Sequence, residues 1–197
     1  MSRAQAKVRF LEATISLMSE KAITDISIQE ISETAGLNHG YVFRYFGTRL
    51  DLFFEVSEEL ARRAREAVAA DAERQSQATG VPVPFDQSLI NVAKKFTNQR
   101  MRVIQYLLSC GVDGKKFGPT SRSTQQQFAD LLQSTGLSSR MAFAQAVRAT
   151  ALIFAEDFLA DAFGLTPEDV RDGTLLSFYE IQQAGEAQKH LGWEAQI

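Results

Sequence analysis

Apolar residues recur at helical spacing along most of the chain, and this pattern predicts an all-α protein. A first helix is expected over about residues 4–20, with an apolar stripe formed by Val8, Leu11, Ile15 and Met18. A shorter amphipathic helix follows near residues 27–34, where Ile28, Ile31 and Ala35 fall at positions i, i+3 and i+7. The chain therefore opens with two helices that each have one face suited to a core.

Local start and stop signals frame the shorter helix. Ser27 and Glu30 have the spacing of a capping box, and Ile26 and Ile31 can close a hydrophobic staple over it. Gly36 stands where the helix must end in a left-handed conformation. These signals predict a short helix that ends in a tight turn.

A second motif helix follows the glycine turn, near residues 38–45. Asn38 is a good N-cap, and the helix carries His39, Tyr41 and Arg44 outward. Two short helices at a glycine turn have the layout of a helix-turn-helix, whose second helix enters the DNA major groove. An αα-corner without DNA-binding function has the same layout and remains an alternative.

The fourth predicted helix begins after Thr48, which pairs with Asp51 at N-cap and N3 spacing, and continues to about residue 76. One side of it is lined by Leu52, Phe53, Val56 and Leu60. Its later part, residues 61–67, is rich in alanine and charge, which is typical of a solvated helix that bridges two parts of a molecule.

Glycine and proline interrupt the pattern twice beyond the fourth helix, over residues 75–84 and 111–123. A helix is expected between these breaks, and a polar helix follows near residues 121–134. Two long helices, 138–163 and 166–185, complete the chain, with Thr166 and Asp169 as the cap of the last one.

This series of helices resembles the tetracycline-repressor (TetR) family of bacterial transcription regulators. The residues that carry the resemblance form one block: Ile28, Ile31, Ala35, Gly36, Leu37, Gly40, Val42, Tyr45, Phe46, Arg49 and Leu52. The resemblance implies a helix-turn-helix DNA-binding head over residues 1–47. It also implies a ligand-binding and dimerisation body over residues 48–197, with helix 48–76 connecting the two.

Exposed positions at the start and edges of the second motif helix indicate how DNA would be contacted. We expect His39, Gly40 and Tyr41 at base edges, and the phosphate contacts from Ser27, Arg44, Tyr45 and Arg49. Asn38 completes the DNA-facing set. The family usually has tyrosine where this chain has Phe43, whose side chain cannot donate to a phosphate.

The predicted helix 138–163 has a centre, residues 149–155, that is apolar nearly all round. Such a helix needs cover on every side, which either a second subunit or the interior of one subunit provides. The resemblance implies a homodimer in which the last two helices pair between subunits. The expected dimerisation residues are Ile153, Phe158, Leu175 and Phe178.

The body is rich in phenylalanine, which suits either an ordinary core or a cavity for an apolar or aromatic effector. The candidate ligand-binding residues lie on the helices with which the family encloses its inducer. They are Phe96, Gln105, Tyr106, Cys110, Phe128, Phe143 and Phe154. Gln105 or Asn98 is expected to supply a polar anchor, and the thiol of Cys110 is expected to be buried among leucines rather than reactive.

Composition excludes several other classes of protein. The chain has one cysteine and two histidines, no cluster with metal-ligand spacing and no fingerprint of a nucleotide-binding or hydrolase site, so we expect no cofactor, no metal and no enzyme activity. The net charge of −3, and the six basic and five acidic residues among residues 1–50, argue against bulk coating of nucleic acid. No secretory signal or membrane span is evident, which favours the cytoplasm.

Together these patterns predict a homodimeric, DNA-binding transcription regulator that responds to a small molecule, and most simply a repressor that a ligand releases from a palindromic operator. The alternative is a helical protein-interaction module that does not bind DNA. The acidic net charge is compatible with this alternative.

Overall fold

The regular elements of the described residues are all helical in the structure, a computed structural model, so the predicted all-α class is confirmed. The structure describes residues 1–79, 87–133, 138–140, 159–166 and 168–170, and single positions at 144, 147, 148, 151, 155, 172 and 183. For residues 79, 87–91, 93, 124, 125, 127, 128 and 131–133 it describes the backbone alone.

Six α-helices have defined bounds within these ranges. They are α1 Arg3–Met18, α2 Ile28–Ala35, α3 Gly40–Tyr45, α4 Arg49–Thr79, α5 Gln87–Ser109 and α6 Gly118–Gln133. Short 3₁₀ helices, Ile23–Asp25 and Gly114–Phe117, stand before α2 and α6. Helix α1 packs against both α2 and α3, which gives the head its core.

The buried face of α1 differs from the predicted stripe. Val8 is exposed and Leu11 and Ile15 are only half-buried. The residues turned into the core are Ala6, Phe10, Ala13, Thr14, Leu17 and Met18. Both sets fit a helical repeat, so periodicity alone did not decide between them. The large ring of Phe10, which meets the ring of Phe46 edge-on at a centroid distance of 6.0 Å, favours the observed face.

The signals around α2 are confirmed in detail. The Glu30 N–H donates to Ser27 Oγ at 3.1 Å, and the Ser27 N–H donates to Glu30 Oε2 at 3.1 Å, which completes the capping box. Ile26 and Ile31 are both buried. Gly36 has φ 63° and ψ 39°, the left-handed backbone conformation that residues other than glycine rarely adopt.

Helix α4 begins with the predicted cap, because the Thr48 N–H donates to Asp51 Oδ2 at 3.0 Å and the Asp51 N–H donates to Thr48 Oγ1 at 3.1 Å. The predicted apolar side is buried, as Leu52, Phe53, Val56 and Leu60 show. The expectation of a solvated later part is wrong on one side, where three small apolar residues are buried: Ala61, Ala64 and Val68.

The second predicted break is shorter than expected. Instead of an irregular segment to residue 123, the chain forms the 3₁₀ helix Gly114–Phe117 and begins α6 at Gly118. Pro119 therefore lies in the first turn of α6, where the missing N–H of proline has no partner to lose. Phe117 is buried against Phe54, with ring centroids 5.4 Å apart.

The predicted cap of the last helix is also present. The Thr166 N–H donates to Asp169 Oδ2 at 2.8 Å, and the Asp169 N–H donates to Thr166 Oγ1 at 3.1 Å. Most of the two predicted C-terminal helices lies outside the described residues.

The chain forms two compact units, and each combines distant segments. The first unit contains Met1–Arg63 and Asn98–Gly118, and the second contains Ala64–Thr97 and Pro119–Ile197. Within the first unit, Gln99 Nε2 donates to Ser19 Oγ at 3.0 Å and Arg102 Nη1 donates to the Met18 carbonyl at 3.3 Å. The predicted division between residues 47 and 48 stays a prediction about function.

Candidate nucleic-acid interface

Helix α3 turns a polar face away from the core of the head. Val42 is fully buried and fixes the helix, whereas His39, Gly40, Tyr41 and Arg44 are exposed. The imidazole and the phenol thus lie at the start of α3 and the guanidinium in its last turn, and all three groups can donate hydrogen bonds. The structure brings the residues predicted to contact bases together at one end of a short, well-anchored helix.

Two tyrosines extend this face along α3. The rings of Tyr41 and Tyr45 stack in parallel, with centroids 5.3 Å apart and an angle of 2° between their planes. Arg3 lies beside them, since its guanidinium is 5.7 Å from the Tyr45 ring centroid and its Nη2 donates to the Tyr45 carbonyl at 3.3 Å. The place of Arg3 beside α3 was not predicted, because no local pattern links residues that are 42 positions apart.

Ser27 caps α2, and Asn38 accepts a backbone hydrogen bond at the start of α3. The Ser27 hydroxyl accepts the Glu30 N–H and lies 3.2 Å from Glu30 Oε2. The N-cap of α3 is His39, whose side chain makes no cap hydrogen bond, and not Asn38 as predicted; Asn38 lies one position earlier, where its Oδ1 accepts the Gly40 N–H at 2.8 Å. Both residues are exposed, so DNA contacts from them would come from side chains that already hold the helix ends.

Glu30 is also paired with a cation. Lys21 Nζ lies 2.5 Å from Glu30 Oε1, and this contact, together with the hydrogen bond from the Ser27 backbone, lowers the pKa of the Glu30 carboxyl. The same ion pair raises the pKa of Lys21. The two charges therefore stabilise the first turn of α2 and leave Lys21 engaged with a carboxylate.

Arg49 is placed differently from the other residues predicted to contact phosphate. Its Nη2 donates to the carbonyls of Ile23 and Ile26, at 2.8 and 2.9 Å, and its Nη1 donates to the Tyr106 hydroxyl. The guanidinium also lies over the rings of Phe53 and Tyr106, 4.9 and 5.0 Å from their centroids. Three of its five N–H donors are thus engaged inside the first unit, and the predicted phosphate contact of Arg49 stays a prediction.

Tyr106, predicted to contact a ligand, is thus a direct partner of Arg49, predicted to contact DNA. Burial raises the pKa of the Tyr106 hydroxyl, and a hydrogen bond with Cys110 raises this pKa further. Cys110 itself is exposed, which corrects the expectation of a buried thiol. Helix α5 ends at Ser109, so the leucines before it do not enclose the thiol.

A groove of about 520 Å³ opens between α2 and α3. Its walls include Ile28 and Leu37, and the exposed ring of Phe43 closes one side. The side chains of Glu33 and His39 also line it. The sequence shows that Phe43 lacks a hydroxyl group, but its periodicity does not predict a groove.

The candidate ligand residues are only partly described. Phe96 is half-buried, Gln105 is exposed, and Asn98 Oδ1 is buried without a hydrogen-bond partner among the described residues. The remaining predicted ligand and dimer side chains lie outside the described residues: Phe128, Phe143, Phe154, Ile153, Phe158, Leu175 and Phe178.

The described part of the chain has neither a metal-binding cluster nor a helix suited to a membrane. Within it, no three His, Cys, Asp or Glu side chains are placed to hold a metal ion. None of its helices combines the length and the apolar character that crossing a membrane requires.

Comparison with known proteins identifies the head. Residues 10–56 match the family model for bacterial regulatory proteins of the tetR family. A solved structure from Rhodococcus sp., described as a TetR-family transcriptional regulator, aligns with a TM-score of 0.57 over 90% of this chain and 98% of that one. The two sequences are 16% identical, so this alignment shows a shared fold. No curated protein matches the chain.

The matched segment runs from α1 into α4 and includes the capping box, the left-handed glycine and the exposed face of α3. Its first residue, Phe10, belongs to the core on which α3 is held. Residues 10–56 are thus similar to bacterial regulatory proteins of the tetR family, and α2 and α3 within this segment form its helix-turn-helix.

Proposed function

We propose that the protein is a repressor that binds a palindromic operator as a homodimer and is released by a small apolar or aromatic molecule. The exposed face of α3 carries the proposal, because it presents several donors from a helix whose position is fixed by the Asn38 hydrogen bond and the core. Its place of action is the cytoplasm, where the operator lies.

The roles of individual residues follow from their positions in the head. His39, Gly40 and Tyr41, at the exposed start of α3, meet base edges in the major groove. Phosphates are met by Arg44 and by the hydroxyl of Tyr45, with further contacts from Ser27 and Asn38. Arg49 acts by holding the segment before α2 rather than by touching a phosphate.

Exposed apolar side chains in the C-terminal region support the proposal of a homodimer. Val147 is 45% exposed, Phe163 70% and Leu165 47% in the single chain. Phe163 and Leu165, two positions apart, give neighbouring exposed apolar side chains of the kind that a second subunit covers. A two-fold partner would also place a second α3 one helical turn of DNA away.

A buried acceptor in the first unit supports the proposal of an effector. Asn98 Oδ1 has no hydrogen-bond partner among the described residues, and a buried carbonyl oxygen of this kind normally has one. A donor on a ligand would satisfy it. Binding would favour a spacing of the two heads that no longer matches successive major grooves.

Selection from a random duplex library with the full-length protein tests the DNA part. We expect enrichment of a palindrome with half-sites about one helical turn apart. Tyr41→Ala should then relax the preference at one base pair of each half-site by about 1–3 kcal/mol, because a base contact carries sequence information. Val8→Ala is the matched control, since Val8 is an exposed apolar residue of α1.

The outcomes separate the two functional classes. Enrichment that Tyr41→Ala alters and Val8→Ala does not supports the proposal. If no duplex is enriched above competitor DNA, the helical protein-interaction module becomes the better description. If a palindrome is enriched but Tyr41→Ala changes neither affinity nor preference, α3 is not the reading helix.

A further inference from the structure

Phe43 exposes an aromatic ring on the helix that enters the major groove. The ring is 54% exposed, whereas its helical neighbours Val42 and Phe46 are buried and hold α3 on the core. Phe43 is thus not needed to anchor the helix. A single exposed apolar side chain is common on protein surfaces, so the surroundings of the ring decide whether it has a role.

The surroundings of Phe43 form an apolar groove with an acidic edge. Phe43 and His39 line the groove from α3, Ile28 and Glu33 line it from α2, and Leu37 lies in the turn between the helices. The groove residues include one carboxylate and no lysine or arginine. A phosphate would meet no cation there and would be repelled by Glu33, so the groove does not suit the DNA backbone.

The base edges of the major groove offer one apolar group, the C5-methyl of thymine. We propose that Phe43 is a specificity-determining residue that packs on a thymine methyl in each half-site, with Ile28 and Leu37 completing the apolar surface. This inference rests on the proposed DNA-binding function.

The placement of Phe43 separates its target from that of Tyr41. Tyr41 stacks on Tyr45, on the side of α3 near Arg3, whereas Phe43 lines the groove against α2. The two side chains therefore leave α3 on different sides. Tyr41 can recognise one base pair by a hydrogen bond, while Phe43 recognises a different base pair by contact with the C5-methyl group of its thymine.

Deoxyuridine substitution tests the proposal, because deoxyuridine differs from thymidine only by the missing C5-methyl. Each thymine of the selected palindrome is replaced in turn, and affinities are measured for wild type, Phe43→Ala, Phe43→Leu and the control Val8→Ala. In wild type, one replacement per half-site should weaken binding about threefold to tenfold, as expected for one buried methyl group. The same replacement should have no effect on Phe43→Ala, a reduced effect on Phe43→Leu and the full effect on Val8→Ala.

Failure of the proposal is distinct from failure of DNA binding. If wild type enriches no duplex, the DNA-binding function fails and the proposal fails with it. If a palindrome is enriched but no thymine replacement matters, or if Phe43→Ala remains as sensitive as wild type, Phe43 does not read a methyl group. A uniform loss of affinity in Phe43→Ala with full sensitivity retained indicates contact with a sugar and overturns the proposal. Thermal unfolding of each variant checks that the head is folded.

Discussion

The guanidinium of Arg49 joins three parts of the chain that are far apart in sequence. It donates to carbonyls on either side of the turn before α2, at Ile23 and Ile26, and to the hydroxyl of Tyr106 on α5. Arginine suits this place because its planar guanidinium can donate to two carbonyls and a hydroxyl at once and can lie against aromatic rings. The single ammonium group of lysine cannot make the same set of contacts. This residue therefore sets the position of α2 from the inside.

Replacing Arg49 should affect stability more than the ionic part of DNA binding. Arg49→Ala is expected to lower the free energy of unfolding by about 1.5–3 kcal/mol, since hydrogen bonds from a charged group are lost, and Arg49→Lys should recover little of it. Urea denaturation measures the change. The dependence of DNA affinity on salt should keep the wild-type slope.

Arg44→Ala is the matched control, because Arg44 is exposed on α3. Its unfolding free energy should stay within about 0.5 kcal/mol of wild type, while the salt slope should fall by about one. The reverse result, with a stable Arg49→Ala protein and a reduced slope, would make Arg49 the phosphate ligand.

The side chains that the sequence predicted well are those whose partners lie within a few residues. Ser27, Gly36 and Thr48 each form hydrogen bonds with a residue three or four positions away, so the spacing of nearby residues predicts their roles. Arg49 and Arg3 act through residues 57 and 42 positions away, and such pairs leave no local pattern. The same reason explains why the groove at Phe43 was not expected.

Among the helices, the starts were predicted better than the buried faces. Reciprocal caps fix the beginnings of α2 and α4 within the first turn, where sequence and structure are directly linked. The buried face of α1 could not be predicted in this way, because two sets of residues at helical spacing could equally pack against the rest of the head. Helix α6 began earlier than expected because Pro119 lies in its first turn, a position at which proline favours a helix.

The first turn of α2 should make the stability of the head depend on acid pH. Because folding lowers the pKa of Glu30, its contribution is fully present above the ordinary carboxyl range of about 4.3 and is lost as pH falls through the lowered value. The Glu30→Gln variant retains an amide oxygen for the cap. Urea denaturation between pH 3 and 7 should show that its free energy of unfolding is lower than that of wild type at neutral pH. The difference should vanish in acid.

Lys21→Met provides the control for the cause of this effect. Without the ion pair the pKa of Glu30 is lowered less, so the acid loss of stability should be smaller than in wild type and should be complete at a higher pH. If the free energies of unfolding of wild type and Glu30→Gln differ by the same amount at every pH, Glu30 is not the source of the acid dependence.

At the scale of the whole molecule, the sequence predicted helices and their order but not their grouping. The expected boundary followed the motif, whereas the first compact unit combines residues 1–63 with 98–118. Bonds such as that from Arg102 to the Met18 carbonyl, 84 positions away, create this unit. Nothing in composition or periodicity encodes which distant helix completes a core.

Assembly can be tested at an exposed residue of the C-terminal region. Phe163→Asp should shift the protein from dimer to monomer or aggregate, because a charge replaces an apolar side chain that the second subunit covers. Ile153→Glu, suggested by the sequence alone, should act in the same way. Val8→Asp is the control and should remain dimeric in sedimentation velocity at micromolar concentration. A wild-type monomer under these conditions would contradict the homodimer.

Effector binding can be tested by thermal shift with a panel of aromatic and lipophilic compounds. A compound that binds the folded protein should raise Tm by mass action and should weaken operator binding, and the operator should weaken its binding by the same factor. Phe96→Ala and Asn98→Ala should reduce the shift, whereas Val8→Ala should not. A panel in which every hit leaves operator affinity unchanged would contradict release by ligand.

The discontinuous first unit has a consequence for the order of events during synthesis. Residues 1–63 emerge from the ribosome before residues 98–118, which complete the unit by contributing Arg102 and Tyr106. At typical elongation rates the early helices wait several seconds for these partners. A nascent chain stalled before residue 98 should thus remain open to protease along α1, and protection should arrive only once residue 118 has left the exit tunnel.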